Sequence, residues 1–174
     1  MNLDAEPLRH TGHLFRRAQQ LHLAVWLRDV CSETTSVQFA ALTVLDQRPR
    51  SSQRELGREL DLDRSTIADL VARMVRRRLI ERERDKDDRR RNVLQLTAAG
   101  RDELVHLRPR VEAIEPTVTG GLSPSERDEL RRLLYRVLEH AAAQGMLWPN
   151  PTTPLGHDAL AGKQRLRAAL DRGA

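Results

Sequence analysis

The chain has 174 residues, of which 39% are apolar, only 3% aromatic and 32% charged, with a formal net charge of +5 and a mean hydropathy of -0.59. That is the size of one ordinary domain, with a lean core built from aliphatic side chains. No stretch approaches the roughly 20 apolar residues of a membrane span. The first ten residues lack the basic start and apolar run of a signal peptide, and the single cysteine, Cys31, excludes a disulfide framework or a multi-cysteine metal site. A cytoplasmic protein with no membrane partner is therefore expected.

Taken in chain order, residues 6–30 read as a long helix, with Leu14, Ala18, Leu21 and Val25 at helical spacing. Thr35 and Gln38 form a capping box that opens a second helix, with Val37, Ala41, Leu42, Val44 and Leu45 as its apolar face and Pro49 beyond its end. Ser52 and Glu55 form another box and open a short helix over residues 53–60. After the turn Asp61-Leu62-Asp63, Asp63 caps a helix from Arg64 to about Arg78. Its inner stripe is Ile67, Leu70, Val71, Met74 and Val75. Residues 79–84 and 92–96 read as strands of a hairpin with a charged tip. Thr97 caps the next helix, in which Pro109 and Pro116 predict a bend or break. Ser123, Pro124 and Glu126 open a final bundle helix carrying Leu130, Leu133, Leu134, Val137, Leu138 and Ala141. Residues 146–156 hold three prolines and read as a linker; residues 157–172 have the pattern of a short helix.

The positive charge is concentrated. Residues 64–91 hold 11 basic and 6 acidic side chains, whereas residues 1–63 hold 8 and 9 and residues 92–174 hold 11 and 10. A local basic patch suits a polyphosphate partner, because each neutralised phosphate releases counterions; a solvated face is the plain alternative. The two helices joined by a three-residue turn have the dimensions of a helix-turn-helix, whose second helix enters the major groove with its N-terminal residues first. Arg64, Ser65, Thr66, Asp69 and Arg73 fall largely outside its apolar stripe. Arginine donates bidentately to guanine or phosphate, and the hydroxyls can bond bases or backbone. Ser52 and Gln53 at the start of the preceding helix, and Arg76 and Arg77 at the end of this one, complete the helical part of the candidate DNA-contact set. The hairpin tip adds Asp88, Arg89, Arg90 and Arg91. Arginine there suits a narrow, electronegative minor groove, and in a tight turn Asp88 can hold Arg90 extended.

The run SQRELGRELDLDRSTIADLVARMVRRRLIERERDKDDRRRNVLQLTAAG resembles the winged helix-turn-helix of MarR-type regulators. The wing phrase D-x-x-D-R-R at Asp85 to Arg90, followed by LxLTxxG at Leu94 to Gly100, is the most specific part. The resemblance reaches upstream through TSVQFAALTVL and covers about Leu8 to Ala142, with a longer tail than is usual. It implies a mainly α fold with a small β-hairpin wing: a winged helix-turn-helix over residues 34–97, a helical dimerisation region over residues 1–33 and 98–146, and a proline-containing linker and tail over residues 147–174. It further implies a homodimer on double-stranded DNA, with Arg90 in the minor groove and Asp88 bracing it. The expected operator is an imperfect palindrome of about 16–22 base pairs, with half-sites one helical turn apart. By the same resemblance the protein represses genes until a small effector releases it.

The first helix, HLFRRAQQLHLAVW, is similar to that of a subgroup answering to aromatic carboxylates. His13, Arg17 and the Arg16–Gln20 pair offer donors for a carboxylate; Trp26 offers a stacking face, and His22, Gln38 and Phe39 complete the candidate ligand set. A surface role for the basic residues and a core role for Trp26 are the structural alternatives. A redox-sensing regulator of the same fold, acting through Cys31, is a second reading. Asp29 and Glu33 flank that cysteine and weigh against an activated thiolate. No Gly-rich phosphate loop, nucleophile elbow or metal-ligand spacing is present, so neither an enzyme nor a cofactor is expected. A protein-interaction module without DNA binding would show no salt-dependent affinity for duplex DNA.

Overall fold

Local capping determines where most of the helices begin. The computed structural model describes residues 6–31, 33–85 and 92–146. Within it α1 spans Thr11–Val25, α2 Ser36–Gln47, α3 Gln53–Glu59, α4 Arg64–Arg76, α5 Ala98–Val118 and α6 Pro124–Ala143, with strands β1 Ile80–Arg84 and β2 Asn92–Leu96 between α4 and α5. Thr35, Ser52 and Ser123 each accept from the amide three residues on, and Gln38, Glu55 and Glu126 reach back to the cap's N–H. The linker and helix expected within residues 147–174 lie outside the described residues, as do the wing-tip residues Asp88, Arg89, Arg90 and Arg91. Among the described residues no helix is long and apolar enough to cross a membrane.

The turn between α3 and α4 is closed by its own backbone. Leu62 N–H donates to Gly57 O at 2.9 Å and Asp61 N–H to Arg58 O at 3.3 Å, with Asp61 at φ 51°. This is the left-handed helix stop that short polar residues tolerate. The same arrangement ends α4: Leu79 N–H reaches Met74 O at 3.0 Å and Arg78, at φ 57°, reaches Val75 O at 2.9 Å. Between these stops Ile67, Leu70, Val71 and Met74 are buried. They pack with Leu42 and Leu45 of α2, Leu56 of α3, Ile80, Leu94 and Leu96 of the hairpin, and Leu104 of α5; Val75 lies half-buried against the same cluster.

The hairpin is antiparallel, with Ile80 opposite Leu96 and Arg84 opposite Asn92. Ser51 adds a bridge that the sequence pattern does not reveal: Leu94 N–H donates to Ser51 O at 2.8 Å, tying the entry to α3 against β2. Gly100, in the first turn of α5, is required by close approach. A Cβ there would lie 1.9 Å from Leu79 O and 2.9 Å from the Leu79 carbonyl carbon.

The first helix departs from the sequence expectation. The first helix does not run from residue 6 to residue 30 as one α-helix: α1 starts at Thr11 and gives way to a π-helical turn, Trp26–Val30. Cys31 N–H bonds Trp26 O at 3.1 Å, the Trp26 indole N–H bonds Thr34 O at 2.8 Å, and Arg110 donates to Val30 O at 3.0 Å. These side-chain anchors hold the widened turn over Leu107 and Ile114 of α5, where Val25, Trp26 and Val30 form a second core cluster. In addition, α5 is not broken at Pro109 or Pro116. Both prolines, and the residues Val105 and Glu112 whose carbonyls lose an amide partner, lie on the exposed side of the helix. Finally, α6 buries no residue. Leu130, Leu133, Leu134, Tyr135, Val137 and Leu138 all remain exposed on it.

Candidate nucleic-acid interface

The outward face of α4 is set by its buried stripe and its cap. With Ile67, Leu70, Val71 and Met74 turned inward, Arg64, Ser65, Thr66, Asp69, Arg73 and Arg76 are exposed. At its N-terminus Asp63 accepts four hydrogen bonds: the Ser65 and Thr66 backbone N–H groups at 2.9 Å each, the Ser65 hydroxyl at 2.5 Å and the Thr66 hydroxyl at 2.7 Å. These bonds, led by that of the Ser65 hydroxyl, hold the Asp63 carboxyl well below the usual carboxylate range. The cap thus fixes both the helix start and the rotamers of the two side chains that follow Arg64.

Other members of the predicted contact set are tied to neighbouring elements. Ser52 caps α3. Gln53 accepts from Arg82 of β1 at 3.2 Å, linking the start of α3 to the wing. Arg77, though exposed, is tied down: it donates to Glu33 O at 2.9 Å and Gln38 Oε1 at 3.4 Å, and pairs with Glu103 of α5 at 3.7 Å. Its guanidinium therefore holds the end of α4 to α5 and to the loop before α2. Beside it lies a groove of about 480 Å³ lined by Glu33, Thr35, Gln38, Arg73, Arg76 and Arg77. Arg82 and the ion pairs of Arg50 with Glu83 at 3.4 Å and Asp85 at 3.8 Å were not anticipated. Their partners are 29 or more residues apart in sequence, beyond any periodic signal.

The ligand candidates divide in two. On α1, Arg16 donates to Gln20 Oε1 at 2.9 Å and stands 3.4 Å from His13 Nδ1, so these three gather on one helix face with Arg17 exposed beside them. Trp26 and Gln38 belong instead to the core. Trp26, only 4% exposed, lies between His22 and Phe39, at ring-centroid distances of 6.0 and 5.8 Å. Gln38, 5% exposed, is held by the Thr35 cap and Arg77. An open stacking face on Trp26 gives way to an aromatic bridge between α1 and α2. Cys31 is half-buried, and its sulfur accepts the Glu33 and Thr34 backbone N–H groups at 3.3 Å each. Among the described residues no group of three or more His, Cys, Asp or Glu side chains could hold a metal ion.

Comparison with known proteins agrees with this geometry. The MarR family model matches residues 33–91. The chain is similar to the HTH-type transcriptional repressor NicR of Pseudomonas putida, at 32% identity over 79% of this chain and 88% of the relative. The PcaV transcriptional regulator of Streptomyces coelicolor, solved with its natural ligand, superposes with a TM-score of 0.72 at 38% identity, covering 81% of this chain and 97% of that one. BpsR of Bordetella bronchiseptica, whose DNA binding is regulated by 6-hydroxynicotinic acid, superposes with a TM-score of 0.72 at 30% identity over 76% of this chain and 96% of its own. With its capped helix-turn-helix, its β-hairpin and these likenesses over more than three quarters of its length, the chain belongs to the MarR family of transcriptional regulators.

Proposed function

We propose that two copies of this chain pair through α1 and α6, and that the pair represses transcription by setting its two α4 helices into successive major grooves of an inverted-repeat operator. The supporting observation is the outward face of α4: a helix clamped by an inner stripe and an N-terminal cap presents Arg64, Ser65, Thr66, Asp69, Arg73 and Arg76 together. Arg64, Arg73 and Arg76 have no hydrogen-bond or ion-pair partner among the described residues and are available to phosphates or guanine edges. Ser52 and Gln53 lie at the start of the adjoining helix, and Asp88, Arg89, Arg90 and Arg91 supply the wing's approach to a minor groove. Arg77 is assigned a different role, holding the end of α4 to α5. In this division residues 34–97 read DNA, residues 1–33 and 98–146 make the dimer, and residues 147–174 form a linker and tail.

The effector is a small aromatic carboxylate. PcaV was solved with a natural ligand and BpsR answers to 6-hydroxynicotinic acid. In this chain the His13–Arg16–Gln20 cluster and Arg17 provide cationic and hydrogen-bonding donors on α1, with His22 one turn further along. Trp26, Phe39 and Gln38 act behind them, transmitting a shift of α1 into α2. A Cys31 redox switch would sit on the same loop, but its sulfur is turned onto its own backbone. Repression in the cytoplasm, without catalysis or cofactor, completes the reading.

Fluorescence anisotropy of labelled duplexes tests it. The logarithm of the binding constant should fall linearly with the logarithm of salt concentration, with a slope of roughly 0.9 per phosphate neutralised. Millimolar 6-hydroxynicotinate or a hydroxybenzoate should release the duplex, and Arg16→Ala should blunt that release without altering the affinity of the free protein for DNA. Duplex binding that is insensitive to every aromatic acid but abolished by peroxide would replace the effector reading with the redox one.

A further inference from the structure

The hydroxyl groups at the start of α4 are committed in one direction. An ionised carboxylate has no proton to give, so at 2.5 and 2.7 Å from the Asp63 oxygens both Ser65 and Thr66 must be the donors. A hydroxyl has a single proton and two lone pairs. Both side chains are exposed, so what each presents to an incoming duplex is an acceptor. The low-lying titration of Asp63 keeps this polarity in place at neutral pH. Phosphate oxygens, guanine O6 and N7 and thymine O4 are themselves acceptors and gain nothing from such a group. In the major groove the matching donors are the exocyclic amino groups, adenine N6 and cytosine N4.

We propose that Asp63 is a positioning residue for sequence readout: by taking the protons of Ser65 and Thr66 it makes both side chains acceptors that recognise adenine or cytosine amino groups and leaves the backbone phosphates to arginine. The first turn of α4 then carries two polarities side by side, since Arg64 is a donor only. The inference rests on α4 being the DNA-reading helix, and that family-shared element makes these hydroxyls face base edges.

The test uses the full chain and the duplex it selects from a random pool. Within each half-site, adenines are replaced one at a time by purine, which lacks the N6 amino group, and cytosines by the pyrimidine analogue lacking the N4 amino group. At one or more positions the unmodified protein should lose roughly 5- to 150-fold in affinity. The Ser65→Ala, Thr66→Ala double variant should be indifferent to the same replacements, which separates lost contacts from altered base pairing. Asp63→Asn keeps an N-cap of equal quality but places an amide NH₂ against one hydroxyl. That hydroxyl regains its proton, and the preference at its position should move toward guanine or thymine in a repeat selection. If every amino-deleted duplex binds as tightly as its parent, or if the double variant shows the same penalties as the unmodified protein, the inference is overturned. Should the double variant nonetheless bind the selected duplex more weakly than the unmodified protein, α4 stands as the reading helix and only the amino preference is lost. Should neither the variants nor the analogues change binding, the assignment of α4 fails as well.

Discussion

The helix-turn-helix and the last helix begin in the same way and end in opposite conditions. Ser52 with Glu55, and Ser123 with Glu126, build equivalent capping boxes. Behind the first box Leu56 is fully buried against Leu42, Leu45, Val71 and Met74. Behind the second, none of the six large apolar side chains of α6 is buried, and α1 likewise leaves Leu14, Phe15, Leu21 and Leu23 exposed, as the π-helical turn after it leaves Leu27. Local signals start a helix equally well in either place, but α3 finds its apolar partners within the same chain and α6 does not. An exposed apolar face of this extent on both helices is a surface that needs a cover, and in the proposed pair a second copy supplies it from the same helices.

The strongest way to break that comparison is to charge α6. Leu134→Glu with Leu138→Glu keeps good helix formers on the helix and should leave the fold of residues 34–97 intact while making the protein monomeric by sedimentation. With only one reading helix per particle, operator affinity should fall by about 10²- to 10⁴-fold. An unchanged sedimentation coefficient would show that α6 is covered some other way.

Where α5 leaves the hairpin, the next largest effect is expected at Gly100. Gly100→Ala drives a methyl group into the Leu79 carbonyl, and relief requires moving backbone at the junction of β1 and α5. Destabilisation of about 3 kcal/mol is expected in urea unfolding. The caps give a smaller and more symmetric comparison: Ser52→Ala and Ser123→Ala should each lower stability by about 1 kcal/mol, and the loss at Ser123 should also weaken dimerisation.

The smallest effect is that of acid. Asp63 and Glu126 both titrate below their ordinary values because cap hydroxyl and backbone groups donate to them, the serine hydroxyl of each cap foremost. Groups depressed in the folded state add stability above their unfolded pKa and lose it as pH falls through the folded one. Their contribution should therefore be constant from pH 8 to pH 5 and disappear only below the usual carboxylate range. A stability profile measured by thermal melting that already falls between pH 7 and pH 5 would point to other groups.

Periodicity and caps make most of the elements legible, because their physics is local. The stripe Ile67, Leu70, Val71 and Met74, the three capping boxes, the hairpin and the cap at Thr97 all appear where spacing put them. Contacts between distant residues were not legible. Arg77 looks like another unpaired arginine of a basic helix, yet Glu33, Gln38 and Glu103 hold it. Trp26 carries no sign of its bond to Thr34 O, nor α1 of the π-helical turn. Proline reads as a helix breaker, yet Pro109 and Pro116 sit within one continuous helix, on its exposed side. Asp63 was recognisable as a cap, but that it also takes the hydroxyl protons of Ser65 and Thr66 depends on rotamers that only the folded helix defines.

The claim that two α4 helices read DNA as a pair is tested most directly by recovering bound sequences from a random duplex pool at fixed salt. The expected result is an inverted repeat whose halves are centred about one helical turn, roughly 34 Å, apart. Recovery of a single unpaired half-site, or of no enriched sequence at all, would contradict it.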